Sequence, residues 1–495
     1  MFEKLYSMKL PLDAERTDLY VKGIQKRADS GRIQMNKEDE LNLTTYFNAF
    51  SVCKWKMYTS INTLKIELKI KGKWKILGRA FSKGINKEIF SEVGEDNFAK
   101  EISLETIDED LIGLKIIARE NDVEFLGGNY YGEFASGSDV NIGITICTFH
   151  REEYLKRNLE TIEALIEENP HYNVMVIDNG SSLREEKTEH LQILHNRNYG
   201  GSGGFTRGLI EQVNQGKNDY VLLMDDDILI ETSALERVYA LCRHRRLGYK
   251  TQMIAGSMMS MDRPTIQYEN TAYWGKIRLH SLGQNLDLTE LEDLLKNEHL
   301  PGKRNKYAAW WFCCIPLNVV KKNGYPLPVF IKGDDMEYGI RNHQDIMTMN
   351  GIGVWHEAFA AKMNPVVNYY SDRNMLIINE YADGCGRGTI FVSLLGRLIR
   401  RILRGDKIGI QMLELAIYDY MSGFEKITSM RADEKMKQVQ NYKGMSNILI
   451  CMSIILYRTF KIALIHGRIH QKYISFRDNK LKTQSFWKKY LGLER

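Results

Sequence analysis

The stretch YVLLMDDDI occupies residues 220–228 and places three aspartates directly after five apolar or aromatic residues. The apolar run predicts a buried strand, and residues that leave a strand point in alternate directions, so we expect Asp225 and Asp227 to face the same side. Two carboxylates there suit Mg²⁺ or Mn²⁺, which could bridge a diphosphate. The alternative is a solvated acidic turn or a helix N-cap, since Thr232 and Ser233 follow closely.

Strands and helices alternate on both sides of this strand. Apolar runs predict strands over residues 142–148, 173–177 and 191–195, and helical spacing covers residues 152–168 and 208–215. This alternation indicates an α/β fold with a mostly parallel, buried sheet. Ligands of such sheets bind beyond the C-terminal ends of the strands, which is where the three aspartates lie.

A glycine cluster, GGSGG at residues 200–204, precedes the helix predicted over residues 208–215. We predict a loop whose backbone amides approach a ligand closely. The cluster lacks the Gly-Lys-Ser/Thr ending of a P-loop and the GxGxxG spacing of a dinucleotide fold. A flexible turn is the alternative.

A second acidic cluster, IKGDDMEYG, occupies residues 331–339. Asp334 and Asp335 follow an apolar turn, and a carboxylate in that position could be a general base. An exposed acidic N-cap of the next helix is equally compatible with this pattern.

Two aromatic or imidazole features complete the candidate site. Trp310 and Trp311 could stack on the C–H faces of sugars, although paired tryptophans are more often core residues. His356, in the stretch GVWHE, could complete a metal site begun by carboxylates, although a lone histidine is usually structural.

The N-terminal part of the chain has the pattern of a β-sandwich. Apolar residues alternate with charged ones over residues 64–71, and further short runs occur at residues 41–50, 102–106 and 114–118. A loose β-rich extension is the alternative. The small, polar stretch at residues 132–141 predicts a linker.

Three regions follow from these patterns. We predict an N-terminal β-sandwich over residues 1–135, an α/β catalytic domain over residues 136–388 and a helical, basic region over residues 389–495. The chain has 495 residues, of which 43% are hydrophobic and 26% charged, and this composition excludes a largely disordered chain, a fibre and a small disulfide scaffold.

Charge is distributed unevenly along the chain. Residues 395–495 carry 20 Lys and Arg against 8 Asp and Glu, a net charge of +12, whereas the whole chain carries +5. Basic and apolar residues interleave over residues 397–404, as in an amphipathic helix that lies on anionic lipid. A charged glycan is the other expected partner. Nucleic acid is not expected, because no nucleic-acid module accompanies the charge.

Cysteine usage and hydropathy predict a cytoplasmic protein at the inner face of the membrane. The seven cysteines form no CxxC pair, which favours a reduced compartment over a disulfide framework or a zinc site. The N-terminus lacks the apolar core of a signal peptide. The longest apolar run, residues 448–457, is about half of a membrane span, so we expect contact with the membrane without crossing.

The order of these motifs, NxGGSGG, MDDDI, WW, DDxEYG and WH, resembles the inverting family 2 glycosyltransferases with a GT-A fold. It is most similar to the bacterial galactofuranosyltransferases that build cell-wall galactan. Those enzymes also have an N-terminal β-sandwich, a central GT-A domain and a helical C-terminal region. The resemblance implies UDP-galactofuranose as donor, Mn²⁺ or Mg²⁺ as cofactor, and a growing glycan, lipid-linked or free, as acceptor. A homo-oligomer is left open.

The resemblance also implies a role for each matched residue. Asp335 would be the base that deprotonates the acceptor hydroxyl, with Asp334 beside it. The metal ligands would be Asp225, Asp227 and His356. Contacts to the nucleotide sugar would come from Thr148, Arg151, Asp178, Asn179, Asn198, Asp225 and Asp226, and contacts to the sugar substrate from Trp310, Trp311 and Glu337.

Two positions depart from the family pattern, and two other functions remain open. Arg151 follows His150 where the family usually has Asn, and Asn179 stands where the galactofuranosyltransferases carry Gln. Both side chains still form hydrogen bonds. The same fold could use another donor such as dTDP-rhamnose, or the chain could be a carbohydrate-binding protein in which the acidic clusters are remnants.

Overall fold

The computed structural model describes residues 1–11, 13–23, 31–135, 137–342, 345–357, 364–442 and 447–494. Its N-terminal region contains two antiparallel sheets with one shared apolar core. The elements are β1 (Phe2–Met8), β2 (Ile33–Met35), β3 (Glu40–Asn42), β4 (Phe50–Ser51), α1 (Val52–Tyr58), β5 (Thr63–Lys71), β6 (Lys73–Ser82), β7 (Ile85–Glu95), β8 (Phe98–Ser103), β9 (Leu111–Ala118) and β10 (Val123–Glu133).

The two sheets form the predicted β-sandwich. One sheet has the strand order β1-β10-β5-β8, with β2 added to β10, and the other has the order β3-β9-β6-β7, with β4 added to β9. Burial alternates along β5, as the sequence period predicts. The single strand run expected over residues 41–50 is wrong, because β3 ends at Asn42 and β4 begins at Phe50.

The central region holds a seven-stranded mixed sheet flanked by helices and two smaller sheets. Its elements are β11 (Ile142–Thr148), α2 (Glu152–Glu168), β12 (Tyr172–Asp178), β13 (Glu186–Lys187), β14 (Leu191–His195), α3 (Gly200–Gln215), β15 (Tyr220–Asp225), β16 (Leu229–Ile230), α4 (Thr232–His244), β17 (Ile254–Ala255), β18 (Ser257–Ser260), β19 (Ile266–Glu269), β20 (Thr271–Gly275), β21 (Arg278–Leu282), β22 (Leu286–Asp287), α5 (Leu291–Glu298), β23 (Lys306–Tyr307), β24 (Phe312–Pro316), α6 (Leu317–Asn323), α7 (Asp334–Asn342) and β25 (Gly353–His356).

The main sheet has the order β13-β14-β12-β11-β15-β24-β17. Strands β14, β12, β11 and β15 are parallel, whereas β24 runs antiparallel to β15. This is the α/β architecture that the sequence predicts. The predicted linker over residues 132–141 begins inside β10, and residue 136 of it lies outside the described residues.

The glycine cluster is not a loop. Residues 200–204 form the first turns of α3, and the helix expected to begin at residue 208 begins at Gly200. A Cβ at Gly204 would lie 2.1 Å from Cys147 Sγ, and a Cβ at Gly208 would lie 2.2 Å from Thr145 Cγ2. Gly204 of the cluster and Gly208 beyond it therefore let α3 pack directly on β11.

The C-terminal region is helical and begins before residue 389. Its helices are α8 (Pro365–Asn379), α9 (Arg387–Leu403), α10 (Lys407–Ser422), α11 (Phe424–Ile427), α12 (Ala432–Gln440), α13 (Ile448–Lys480) and α14 (Ser485–Leu491). Residues 443–446 of the predicted helical region lie outside the described residues.

Helix α13 is longer than the apolar run in the sequence suggests. By length and composition it could cross a membrane, and only 22% of its most apolar window is buried inside the protein. The apolar run ends at residue 457 because Arg458 and Lys461 follow it, so the uninterrupted apolar segment in the sequence is shorter than the helix. A core helix would pass the same length test, but it would be mostly buried.

Candidate metal and nucleotide-sugar site

Three potential metal ligands lie together at the end of β15. One ligand atom each of Asp225, Asp227 and His356 lies within 4.8 Å of the others. His356 Nε2 is 3.0 Å from Asp227 Oδ1 and 3.7 Å from Asp225 Oδ2. The His356 Nδ1 atom lies 2.7 Å from the Glu357 carbonyl oxygen, which places the proton on Nδ1 and leaves Nε2 to bind a cation. Two carboxylates and one imidazole fit a divalent ion such as Mn²⁺.

Strand pairing brings the histidine to the aspartates. Strand β16 follows the aspartate triplet after a single turn and pairs with β25, with Leu229 opposite Trp355. His356 is the last residue of β25, so this pairing places its imidazole over Asp227. Two very short strands thus close a site whose ligands are about 130 residues apart in the chain.

The middle aspartate of the triplet points inward and fixes the turn. Asp226 accepts a hydrogen bond from Thr148 Oγ1 at 2.7 Å and lies 3.4 Å from Arg151 Nη1. The Asn158 side-chain amide donates a hydrogen bond to the backbone carbonyl oxygen of Asp226 at 2.9 Å. Burial raises the pKa of Asp226 to about 6. Arg151 also pairs with Asp227, so a cation bound at Asp227 would compete with this guanidinium.

The second acidic pair lies at the N-terminus of α7. It follows a loop in which Phe330, Lys332 and Gly333 have φ values of 73°, 60° and 100°. Burial raises the pKa of Asp334 to about 7, and the charge of Asp225 adds to this rise. Burial is also the main reason that the pKa of Asp335 is raised well above its usual range, and the negative charges of Asp334 and Asp225 raise it further. The structure therefore brings the two acidic clusters within electrostatic reach of each other.

An amide on α8 holds this loop in place. The Asn374 side chain donates hydrogen bonds to the carbonyl oxygens of Val329, Ile331 and Lys332 at 3.2, 2.7 and 2.8 Å. The Arg373 guanidinium also donates to Val329 at 2.8 Å. Both side chains are buried, and both were missed in the sequence because nothing in a helical pattern marks a contact with a distant loop.

The residues predicted to contact the nucleotide organise the neighbouring turns. Asp178, at the end of β12, accepts from the backbone amides of Gly180 and Leu183, both at 2.8 Å. Asn198 accepts from the Gly200 amide at 2.9 Å and so orients the start of α3. Asn179 donates to the Gly200 carbonyl at 3.1 Å and is buried. These contacts place all three side chains at one edge of the sheet, and their role in binding a nucleotide stays a prediction.

The predicted sugar-binding residues are more buried than their roles suggest. Trp310 and Trp311 are each 4% exposed. The Trp311 indole donates to the Gly256 carbonyl at 2.9 Å, and its own carbonyl accepts from the Asp225 amide at 3.4 Å, so it adjoins the metal ligands. Glu337 is fully buried and paired with Arg341 at 2.9 Å. Sugar binding by these residues remains a prediction.

Asn158 is a supporting residue that the sequence could have revealed. In α2 the buried residues are Leu155, Asn158, Ile162 and Leu165, so an amide occupies a position on the apolar face. A polar side chain at a core position of a helix normally has a specific hydrogen-bond partner. Here that partner is the backbone of the aspartate triplet.

Two family profiles match the chain. Residues 140–354 match "Glycosyltransferase like family 2", and residues 10–126 match "Galactofuranosyltransferase 2 N-terminal". The central region is therefore similar to family 2 glycosyltransferases. The matched range contains both acidic clusters and the tryptophan pair, and His356 lies two residues beyond it.

Two curated relatives are similar to most of the chain. The chain is 24% identical over 444 residues to the galactofuranosyltransferase GlfT2 of Mycolicibacterium smegmatis, covering 80% of this chain and 66% of the relative. It is 25% identical over 393 residues to GlfT2 of Mycobacterium tuberculosis, covering 70% of this chain and 59% of the relative. The chain thus spans about three fifths to two thirds of the length of these relatives.

Solved structures of glycosyltransferases show a weaker similarity to this chain. TarS of S. aureus in complex with UDP aligns with a TM-score of 0.36 at 12% identity, covering 66% of this chain and 91% of that structure. The mannosyltransferase PcManGT of Pyrobaculum calidifontis, with GDP-Man and Mn²⁺, aligns with a TM-score of 0.32 at 9% identity, covering 66% and 88%.

Proposed function

We propose that the protein is an inverting, metal-dependent glycosyltransferase that moves galactofuranose from UDP-galactofuranose to a hydroxyl of a growing cell-surface glycan. The observation that carries this proposal is the convergence of two acidic clusters. The group formed by Asp225, Asp227 and His356 lies near enough to Asp335 for the charge of Asp225 to raise the pKa of Asp335. An inverting transfer needs one basic carboxylate and one separate site for the leaving group.

The residues divide this chemistry between them. Asp225, Asp227 and His356 would hold Mn²⁺ or Mg²⁺, which supplies positive charge for the departing diphosphate. Asp335, once ionised, accepts the proton of the acceptor hydroxyl while the hydroxyl oxygen attacks the anomeric carbon. Attack from the face opposite the diphosphate inverts the configuration of that carbon. A raised pKa makes Asp335 a stronger base than an ordinary carboxylate.

The identity of the donor rests on the relatives. Both are named galactofuranosyltransferases, and the N-terminal region matches a domain named after the same activity. Another nucleotide sugar, such as dTDP-rhamnose, is the alternative donor on the same fold. A carbohydrate-binding protein without catalysis is the alternative of another class, and the pairing of His356 with the aspartates argues against mere acidic remnants.

We further propose that the protein contacts the inner face of the cytoplasmic membrane, where a lipid-linked acceptor would lie. Helices α9 and α13 expose apolar side chains, and the rings of Phe391 and Phe460 join the two helices at 5.1 Å. Arg400 and Arg404 are exposed beside them. An apolar surface bordered by arginines is typical of interfacial helices. Its exposed large apolar residues are Val392, Ile399, Ile402, Leu403, Leu449, Ile450, Leu456, Tyr457, Phe460 and Leu464.

Release of UDP from a panel of nucleotide sugars, with and without Mn²⁺, tests the enzymatic proposal. We expect turnover with UDP-galactofuranose and none after EDTA treatment. Asp335→Ala should abolish transfer while metal-dependent UDP binding stays nearly intact. Asp227→Ala should instead weaken that binding. UDP binding that is equally tight without metal would refute the metal site, and equal turnover of Asp335→Ala would refute the base.

Flotation with vesicles that contain anionic lipid tests the membrane proposal. We expect the full chain to float with anionic vesicles and not with neutral ones. Replacement of exposed Leu403 and Leu464 by Gln should abolish flotation, because both side chains are more than 80% exposed and carry no packing role. Resistance to alkaline extraction would show instead that α13 crosses the bilayer.

A further inference from the structure

A second group of metal-ligating side chains lies far from the triplet in sequence, at the junction of the β-sandwich and the central region. We propose that Cys53, Asp110 and His299 form a binding site for Zn²⁺. One ligand atom of each residue lies within 4.8 Å of the others, and His299 Nε2 is 2.8 Å from Asp110 Oδ1. Zn²⁺ would displace the proton of the Cys53 thiol and bind the neutral imidazole of His299 and the carboxylate of Asp110.

Three separate elements supply the ligands. Cys53 lies in the first turn of α1, Asp110 directly precedes β9, and His299 directly follows α5. The Cys53 backbone amide donates to the Asp110 carbonyl at 3.2 Å, which fixes these two residues relative to each other. His299 reaches them from the central region. An ion at this site would therefore tie the β-sandwich to α5.

Glu298 adjoins the Cys53 thiol of this group. Its Oε1 accepts a hydrogen bond from Ser51 at 2.5 Å, and this contact turns Oε2 toward the Cys53 thiol at 3.7 Å. Glu298 is 1% exposed, so its carboxylate is held in this direction. The His299 side chain is 60% exposed, which gives an ion a path from solvent to the other ligands.

The donor set distinguishes this site from the one at Asp225 and Asp227. Sulfur, imidazole nitrogen and carboxylate oxygen together suit a borderline-soft ion such as Zn²⁺, which takes four such ligands in a tetrahedron. Two carboxylates and one imidazole suit Mn²⁺ or Mg²⁺ better. No sequence pattern marks the second site, because its ligands come from three distant segments and include no CxxC pair.

Titration of the full chain with Co²⁺, a spectroscopic substitute for Zn²⁺, tests this proposal. Bound Co²⁺ should show a sulfur-to-metal charge-transfer band that Zn²⁺ removes by competition. We expect Cys53→Ser to abolish this band and His299→Ala to weaken Zn²⁺ binding by at least about 10-fold. His299 is exposed, so the second variant should fold normally.

Two control variants make the result decisive. Cys385→Ser removes another partly exposed cysteine and should keep the band. Asp227→Ala removes the other metal site and should keep it as well, so this proposal can fail or succeed independently of the proposed activity. A band that persists in Cys53→Ser, or Zn²⁺ binding that is unchanged in His299→Ala, would overturn the assignment.

Discussion

Replacing Asn374 by Ala should slow transfer without weakening the binding of the donor. Among the residues that the structure describes, the Asn374 side chain bonds to the loop that precedes the proposed base and accepts a hydrogen bond from Arg373 Nε at 2.9 Å. Truncation removes its hydrogen bonds to the carbonyls of Ile331 and Lys332, whereas Val329 keeps the hydrogen bond from Arg373. Asn374 is therefore a positioning residue, and its effect is expected on kcat.

The size of the effect follows from the two short hydrogen bonds that are lost. Each contributes about 1 kcal/mol net, so the loop loses about 2 kcal/mol of its preference for the observed conformation. That conformation is intrinsically unfavourable, because Phe330 and Lys332 are non-glycine residues in the left-handed region. If only this conformation places Asp335 at the acceptor, the active population falls, and kcat decreases by at most about 30-fold, the limit reached when the loop has no further preference for this conformation.

A second asparagine on α8 provides a matched control. Asn379 is as buried as Asn374, and its side-chain atoms have no hydrogen-bond partner among the residues that the structure describes. Asn379→Ala should therefore leave kcat unchanged. Steady-state kinetics with UDP release, together with calorimetric UDP binding in Mn²⁺, separates the two steps. Equal kcat values for the two variants, or a change confined to the donor KM, would refute the positioning role.

Three further predictions concern packing and protonation. Gly204→Ala should lower the melting temperature, because the new Cβ would lie 2.1 Å from Cys147 Sγ and such overpacking costs about 1–3 kcal/mol, whereas Gly388→Ala on open α9 should not. In the pH–rate profile, the rate of transfer should rise with pH, and the midpoint of this rise should lie above the usual pKa range of carboxylates. The reason is that the raised pKa of Asp335 keeps it protonated, and so unable to act as a base, at lower pH. A midpoint near pH 4 would contradict this. Burial raises the pKa of Glu269 to about 7, so the folded state retains its proton and stability should fall between about pH 4.5 and 7. In the wild-type protein the free energy of unfolding should fall by about 3 kcal/mol over this range, and Glu269→Gln should remove this fall. The variant should therefore show a smaller difference between its denaturation midpoints at pH 5 and pH 8.

Period and composition were sufficient to predict the layers of the fold. The alternation over residues 64–71 gives strand β5, and the helical spacing over residues 152–168 matches α2 at both ends. Each of these elements buries one face, so the spacing of its apolar residues indicates whether it is a strand or a helix. The glycine cluster carries no such period. Glycine is read as a loop former, and only the contact of α3 with β11 shows that these glycines serve close packing inside a helix.

The location of the candidate site could be predicted from the sequence pattern where its residues follow a strand directly, whereas His356 was a candidate by residue type and motif order alone. Asp225 and Asp227 could be identified from the strand that precedes them, since strand ends are where ligands bind. The position of His356 depends on the pairing of β16 with β25, two strands of two and four residues that are too short to give a sequence period. Loop contacts such as those of Asn374 depend on tertiary packing and leave no local pattern.

The helix α8 connects the basic region with the catalytic loop, so these regions are not independent. Asp372 accepts hydrogen bonds from Arg397 and Arg401 of α9 at 2.6 and 2.5 Å, and Asn374, two residues later, holds the loop before α7. The predicted boundary between residues 388 and 389 falls inside α9 and leaves its partner helix α8 in the preceding region. Two of the arginines that the sequence assigns to an anionic surface are thus committed to Asp372. Binding of anionic lipid by α9 would fall to Arg400 and Arg404, and because α9 is anchored through α8, such binding would orient the acceptor-side loop relative to the membrane.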